Sequence, residues 1–221
     1  MTSSPPWFVL VAGVNGSGKS TFAQNPEAIK ELCGLTGDVD EIEIINPDLI
    51  TKAIIQADPD LSLAEANLRA AEACETRVWK LVEDASRSLV IETVLSTDKY
   101  KPIVERAKRK GFRFFFYYMP LYSVDEALRR IAHRVGHDGG HDVAADKVRK
   151  RWPLSLKRVP WFWKRADLAY LYFNGDEAPF PIRLAEKRDN WVSILETDLG
   201  PRELSAIWPR LIPTIPGKRK K

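Results

Sequence analysis

Residues 9–21 read Val-Leu-Val-Ala-Gly-Val-Asn-Gly-Ser-Gly-Lys-Ser-Thr, and this stretch decides the fold. The apolar run at residues 8–12 predicts a short buried strand, and residues 21–32 predict a helix. Between them, residues 13–20 match the pattern Gly-x-x-x-x-Gly-Lys-Ser, which is the phosphate-binding P-loop in its required strand–loop–helix setting. A chance glycine-rich turn is the alternative, but the combination of strand, Lys-Ser and helix argues against it.

The spacing of this motif follows from the chemistry of phosphate binding. Glycines let the backbone turn its N–H groups toward phosphate oxygens, and the helix behind them adds partial positive charge. Lys19 reaches the β- and γ-phosphates, and the Ser20 hydroxyl is placed to bind Mg²⁺. The loop residues predicted to bind a nucleoside triphosphate are Gly13, Asn15, Gly16, Ser17, Gly18, Lys19, Ser20 and Thr21.

Strands and helices alternate along the rest of the chain. Further strands are predicted at residues 41–45, 88–93, 112–119 and 168–173, and helices at 49–56, 62–86, 101–110, 123–135 and 144–157. This order predicts an α/β fold of P-loop NTPase type, with a parallel sheet, helices on both faces and one domain over residues 1–221. A hairpin at 182–195 and a tail with a last helical turn at 201–208 are expected at the end.

Composition sets broad limits on function. The chain has 221 residues, of which 44% are hydrophobic, so it can build a full core and is not a disordered protein. A net charge of +4 is too small to identify a nucleic-acid binder. Cys33 and Cys74 lack metal-binding spacing and are interpreted as buried free thiols. With neither a signal peptide nor a membrane-spanning run in the sequence, a cytoplasmic protein is expected.

Polar residues follow the predicted strands at the edge where parallel sheets bind ligands. Asp48 follows the second strand and is predicted to be the base that accepts the proton of a substrate hydroxyl; the alternative is that it only caps its helix. Glu92 and Thr93 end the third strand and are predicted to bind substrate. Glu92 could also hold Mg²⁺ through water, and its alternative interpretation is an exposed strand-end glutamate.

A helical, arginine-rich lid is predicted at about residues 130–158. Its candidate phosphate-binding residues lie on both sides of a glycine break: Arg130 and Arg134 before it, Arg149 and Arg151 after it. The arginine fork binds phosphate at two points, which suits a charged phosphoryl transition state, whereas a solvated basic face is the alternative. The histidines at 133, 137 and 141 have no cysteine or glutamate to complete a zinc site, so a metal there is disfavoured.

The chain resembles the zeta toxin family of P-loop kinases over about residues 6–174. The resemblance rests on residues 13–22, on Ile45-Asn-Pro-Asp-Leu-Ile50, on Val90-Ile-Glu-Thr-Val-Leu-Ser96, on 130–141 ending in Gly-Gly-His, on 148–156 and on Tyr172-Phe-Asn174. It implies ATP–Mg²⁺ as donor and a nucleotide sugar as acceptor, typically the 3′-hydroxyl of UDP-N-acetylglucosamine. It also implies roles for Lys19 and Ser20 in ATP binding, Asp48 as base, Glu92 in substrate binding, and Arg134 and Arg151 as phosphate clamps.

Departures from the family pattern leave the acceptor open. The fourth strand has no acidic residue, Lys150 replaces an expected arginine, and Gly175 replaces a serine. Another nucleotide-type acceptor, such as NAD or a nucleoside, is therefore an alternative. A nucleotide-dependent nucleic-acid-binding protein, with Trp161 and Trp163 stacking on bases, is a further one. The resemblance also implies a small helical antitoxin that blocks the ATP site.

Overall fold

The computed structural model describes residues 5–33, 42–138, 143–174 and 181–194, apart from the side chains of residues 137, 138 and 194. The strands are β1 (Trp7–Gly13), β2 (Ile42–Ile45), β3 (Ser88–Thr93), β4 (Arg113–Met119), β5 (Leu168–Phe173), β6 (Ile182–Arg188) and β7 (Trp191–Ile194). The helices are α1 (Lys19–Ala23), α2 (Pro26–Cys33), α3 (Pro47–Ala57), α4 (Leu63–Asp84), α5 (Tyr100–Arg109), α6 (Val124–Asp138) and α7 (Ala145–Arg165).

The seven strands form one sheet in the order β2-β3-β1-β4-β5-β6-β7. β2 and β3 run parallel, while β6 and β7 form an antiparallel hairpin that pairs with β5. The predicted α/β class and the hairpin are therefore confirmed. The hairpin extends the sheet at the β5 side, a position that the sequence pattern did not give.

The internal contacts of the chain group into two compact units. The first consists of residues 1–11, 19–93 and 99–115, and the second of residues 12–18, 94–98 and 116–221. One of the points at which the chain changes unit lies within the P-loop, between Gly18 and Lys19. In the first unit α3 packs against α4, and in the second unit α6 packs against α7.

The helix predicted at residues 21–32 is two helices. α1 ends at Ala23, and α2 begins at Pro26, with the Asn25 side chain accepting a hydrogen bond from the Ala28 N–H at 3.1 Å. Proline has no N–H to continue a helix but is favoured in the first helical turn, and asparagine is favoured before it. The break leaves a five-residue helix behind the P-loop, so the loop depends more on its own N–H groups than on a helix dipole.

The helix after β2 is capped by Asn46, so the alternative interpretation of Asp48 as the cap is wrong. The Asn46 side chain accepts hydrogen bonds from the N–H groups of Asp48 (2.9 Å) and Leu49 (3.4 Å). Asp48 lies in the first turn of α3, and its side chain is exposed. Because Asn46 does the capping, the Asp48 carboxylate is not committed to the helix end.

α7 extends to Arg165, eight residues beyond the predicted end at residue 157, although Pro153 and Pro160 lie inside it. Burial explains the extension, since Val159, Phe162 and Trp163 are all buried. The helix is fixed to β4 by a 2.9 Å hydrogen bond between the Tyr118 and Ser155 hydroxyls and by stacking of Phe116 on Phe162. Tertiary packing here outweighs the helix-breaking tendency of proline.

Other predictions have simple outcomes. The capping box at Ser62 and Glu65 is present, and α4 runs to Asp84. Within the part of the chain that the structure describes, no helix is long and apolar enough to cross a bilayer. The loop predicted at residues 34–40, the Gly139-Gly140-His141 segment and the helical turn at 201–208 lie outside the described residues.

Asn46→Ala should lower the free energy of unfolding by about 1–2 kcal/mol, because two N–H groups at the start of α3 lose their acceptor. Asp48→Asn should cost less, roughly 0.3–1 kcal/mol, and this cost should shrink in high salt because it is a charge–dipole effect. Denaturant unfolding at low and high salt measures both. A larger loss for Asp48→Asn that persists in high salt would contradict the assignment of Asn46 as the cap.

Candidate active site

The P-loop glycines in the second unit lie against neighbouring backbone and side chains that leave no room for a Cβ. At Gly16 (φ +76°), a Cβ would lie 3.0 Å from the Ala127 carbonyl oxygen on α6. At Gly18 (φ +89°), it would lie 2.8 Å from the Asn174 amide nitrogen. Both positions also have a backbone conformation that favours glycine. The loop is therefore held in a backbone conformation that glycine permits, and within it the Ser17 N–H donates a hydrogen bond to the Val14 carbonyl oxygen at 3.4 Å.

Two polar side chains of the loop have buried atoms without hydrogen-bond partners. They are the Oδ1 of Asn15 and the Oγ of Ser17, and Ser17 is completely buried. Buried polar atoms are rarely left without partners in folded proteins, except where a ligand supplies them. Both residues were predicted to bind the nucleotide, and among the described residues neither of these two atoms has a hydrogen-bond partner. Their roles stay predictions.

In the first unit, Glu92 lies next to both functional side chains of the P-loop. The Ser20 hydroxyl donates a hydrogen bond to Glu92 Oε1 at 2.9 Å, and Lys19 Nζ lies 4.0 Å from the same oxygen. Lys19 is buried and Glu92 is half-buried, so the alternative interpretation of Glu92 as an exposed strand-end residue is wrong. The structure thus brings Glu92 to the adjacent residues Lys19 and Ser20, although Glu92 lies 72 positions after Ser20 in the sequence.

The Ser20 and Glu92 oxygens fit a Mg²⁺ ion. Glu92 Oε2 is buried and has no hydrogen-bond partner within the described residues. Mg²⁺ prefers oxygen ligands and is commonly held by one or two protein groups together with substrate phosphates. The described part of the chain contains no cluster of three or more His, Cys, Asp or Glu side chains, so a site of this kind would depend on the phosphates of the nucleotide.

Asp48 and Glu92 follow neighbouring strands. β2 and β3 pair in parallel, with Ile45 opposite Ile91, so both strands bring their carboxyl ends to the same edge of the sheet. Asp48 is exposed there, and Thr93 is half-buried at the end of β3. Thr21, the remaining P-loop residue, is exposed on α1. The two carboxylates are thus on adjacent elements of one unit, as the sequence predicted.

Arg130 is the predicted lid arginine whose contacts are best defined. Its Cβ lies 3.4 Å from the position of a Cβ at Gly16, and its guanidinium forms a 3.1 Å ion pair with Glu126. Glu126 is buried and also accepts the Tyr122 N–H at 2.8 Å, while its own N–H donates to the Ser123 hydroxyl at 3.1 Å. Glu126 thus pairs with Arg130 next to Gly16, and the sequence analysis did not assign it to the site.

The remaining lid arginines lie on two helices that pack against each other. Arg134 is half-buried on α6, one turn beyond Arg130. On α7, Arg149 is exposed and Arg151 is half-buried, directly before the buried Trp152. Their roles stay predictions.

Asn174 is a site residue that sequence reasoning did not assign. Its Nδ2 donates a hydrogen bond to the Ser17 carbonyl at 3.0 Å across 157 positions of sequence. The one sequence indication was its place at the end of the segments that resemble the zeta toxin family. Only the fold brings it to the P-loop.

Solved structures share this fold. One chain of the AvrRxo1-ORF1:AvrRxo1-ORF2 complex crystallised with ATP matches at 15% identity and a TM-score of 0.66, over 99% of this chain and 67% of that one. A chain of the PezAT toxin–antitoxin system of Streptococcus pneumoniae matches at 19% identity and a TM-score of 0.54, over 78% and 69%. This chain has the fold of a zeta-toxin-like P-loop kinase.

The other comparisons mark the limits of that likeness. A chain of the Pnkp1/Rnl/Hen1 RNA repair complex matches at 20% identity and a TM-score of 0.51, over 71% of this chain and 46% of that one. No protein-family model and no curated protein matches. The chain spans about two thirds of the length of the AvrRxo1 complex chains that it matches. At these identities the likeness concerns the fold.

Gly18→Ala should weaken ATP binding, because a Cβ placed 2.8 Å from the Asn174 amide nitrogen displaces that side chain from the loop, in addition to the backbone strain. Gly111→Ala is a matched control: Gly111 has the same φ of +89°, and nothing lies within 4 Å of its Cβ position. Both variants share the strain, roughly 1–2 kcal/mol, but only the first disturbs the loop. Titration calorimetry with ATP distinguishes them, and equal ATP affinity in the two variants would contradict the steric argument.

Proposed function

We propose that the protein is an ATP- and Mg²⁺-dependent kinase that phosphorylates a sugar hydroxyl of a nucleotide sugar. The observation that supports this best is the position of Glu92 beside both Lys19 and Ser20. A P-loop lysine and serine next to a strand-end carboxylate is an arrangement suited to holding a nucleoside triphosphate with its metal ion. The AvrRxo1 complex with ATP, which shares the fold, supports ATP as the nucleotide.

Each site residue has a role in this proposal. The P-loop N–H groups and Lys19 bind the phosphates, and Ser20 and Glu92 would hold the Mg²⁺, which neutralises phosphate charge. Asp48 accepts the proton of the acceptor hydroxyl while the hydroxyl oxygen forms its bond to the γ-phosphorus. The bond from that phosphorus to the β,γ-bridging oxygen breaks, and ADP leaves with the electron pair. Arg130, Arg134, Arg149 and Arg151 would stabilise the charge that develops on the transferred group.

The acceptor is proposed from the resemblance to the zeta toxin family. We infer the 3′-hydroxyl of UDP-N-acetylglucosamine as the first candidate, with Glu92, Thr93 and Arg149 in acceptor binding. NAD and nucleosides are the other acceptors to test, since the departures noted in the sequence concern the acceptor side. A small helical antitoxin is the proposed partner, and the PezAT toxin–antitoxin system shares the fold. A cytoplasmic location suits an ATP-dependent enzyme.

A nucleic-acid-binding function is the second candidate, and the structure gives it little support. Phe162 and Trp163 are buried, so they cannot stack on bases. Trp161 is half-buried, and the Arg165 guanidinium lies 3.8 Å from the centre of its ring. This arrangement indicates that the aromatic segment mainly packs α7 onto the core.

The direct test of the proposal is phosphoryl transfer. Wild-type protein, Mg²⁺ and ATP are incubated with a panel of nucleotide sugars, dinucleotides and nucleosides, and mass spectrometry reports the gain of one phosphoryl group. We expect UDP-N-acetylglucosamine to gain it with wild-type protein and not with Lys19→Ala. The absence of any phosphorylated product across the panel, or turnover by Lys19→Ala close to wild type, would reject the proposed assignment.

Asp48→Asn should retain ATP binding and lower phosphoryl transfer by ~10²–10⁴, the usual contribution of general-base catalysis. The reason is that the amide keeps the size of the side chain but cannot accept the proton. Steady-state kinetics and ATP titration measure the two effects separately. Unchanged turnover per folded molecule would remove Asp48 from the mechanism.

Arg134→Ala and Arg151→Ala should lower turnover steeply and change ATP affinity little, because charge accumulates on the transferred group only as the bond breaks. Lysine at either position should restore little, since a point charge does not reproduce the guanidinium fork. Lys157→Ala is the matched control, as an exposed basic residue on α7. If the arginine variants turn over as fast as this control, the arginines form only a solvated basic face.

A further inference from the structure

We propose that Asn174 is a positioning residue that sets the orientation of the Ser17–Gly18 peptide in the P-loop. The inference rests on the proposed ATP-binding function and adds a residue to its machinery. Asn174 directly follows β5, far from the P-loop in sequence, and is half-buried. Its amide nitrogen donates a hydrogen bond to the Ser17 carbonyl oxygen in the loop at 3.0 Å.

The geometry of the peptide unit gives this contact its consequence. The chain has no cis peptide bonds within the described residues, so the Ser17 carbonyl and the Gly18 N–H point in opposite directions. Fixing the carbonyl toward Asn174 therefore turns the Gly18 N–H away from Asn174. In a P-loop, the N–H groups must converge on the phosphate oxygens. Asn174 thus selects one of the two orientations of a peptide whose N–H is needed by the ligand.

Glycine makes such a device necessary. Gly18 has a φ of +89°, and a residue without a Cβ tolerates both orientations of the preceding peptide at little cost. The Asn174 amide nitrogen lies 2.8 Å from the position that a Cβ at residue 18 would take, so a side chain there would have to displace it. The hydrogen bond from Asn174 removes the freedom that glycine would otherwise give the loop.

The test compares the ligand affinities of two substitutions at position 174. If Asn174 only fills space, Asn174→Ala should bind more weakly than Asn174→Asp; if it orients the peptide, the order should be reversed. Asn174→Ala removes the hydrogen-bond donor, and we expect the affinity for ATP to fall by about threefold to tenfold, the effect of one hydrogen bond. Asn174→Asp keeps the shape but places a carboxylate against the Ser17 carbonyl oxygen and near the phosphates. It should bind more weakly than Asn174→Ala. Tyr172→Phe, which changes a neighbouring residue of β5, serves as the control and should bind as wild type does.

Titration with two ligands shows whether Asn174 affects binding of the phosphates or of the nucleoside. Titrations use ATP and inorganic tripolyphosphate, and we expect the same fractional loss for both, because the affected N–H faces phosphate. Thermal unfolding without ligand checks that each variant is folded. If Asn174→Ala does not fold, the isosteric Asn174→Asp variant decides the matter alone.

Several results would overturn the inference. They are wild-type affinity in Asn174→Ala, wild-type affinity in Asn174→Asp, and weakened binding of ATP with unchanged binding of tripolyphosphate. The last result would place Asn174 at the nucleoside instead. Wild-type protein that binds both ligands but phosphorylates no acceptor would reject the kinase proposal and leave this inference standing. Wild-type protein that binds neither ligand would reject both.

Discussion

The lack of space around the P-loop backbone is the constraint on which the second unit depends. A Cβ at Gly13 would lie 2.4 Å from the Met119 carbonyl oxygen, one at Gly16 would touch α6, and one at Gly18 would touch Asn174. The end of β4, the start of α6 and the residue after β5 thus fix three points of the same loop. A loop held in this way keeps one backbone conformation, and a preorganised loop loses less conformational freedom when a ligand binds.

A small number of carboxylates contact the basic and hydroxyl side chains of the candidate site. In the first unit, Glu92 lies beside the Lys19 ammonium and accepts a hydrogen bond from the Ser20 hydroxyl. In the second unit, Glu126 pairs with Arg130 next to Gly16. Each of these two acidic residues contacts a side chain for which we propose phosphate or Mg²⁺ binding. Asp48 differs, since Asn46 takes over the capping of α3 and leaves the carboxylate exposed.

Much of the fold and of the candidate site could be predicted from the sequence, because the features that decide them are local. The P-loop pattern, the capping box at Ser62 and the apolar strands depend on spacing within short segments. The errors concern competing local effects, such as Pro26 dividing the first helix and Asn46 preceding a proline at the start of α3. α7 was predicted too short because its later turns are stabilised by burial of Phe162 and Trp163, which only the fold provides. Asn174 could not be assigned for the same reason, since its partner Ser17 lies 157 positions away in sequence. The pairing of Glu126 with Arg130, by contrast, spans one helical turn.

The role of Glu92 is the central claim, and the Mg²⁺ dependence of turnover tests it most directly. Glu92→Gln keeps the size of the side chain and can still accept the Ser20 hydrogen bond, but it removes the negative charge. The account predicts that this variant needs a much higher Mg²⁺ concentration for half-maximal turnover, while ATP binding in the absence of Mg²⁺ changes little. An unchanged Mg²⁺ requirement in Glu92→Gln would contradict it.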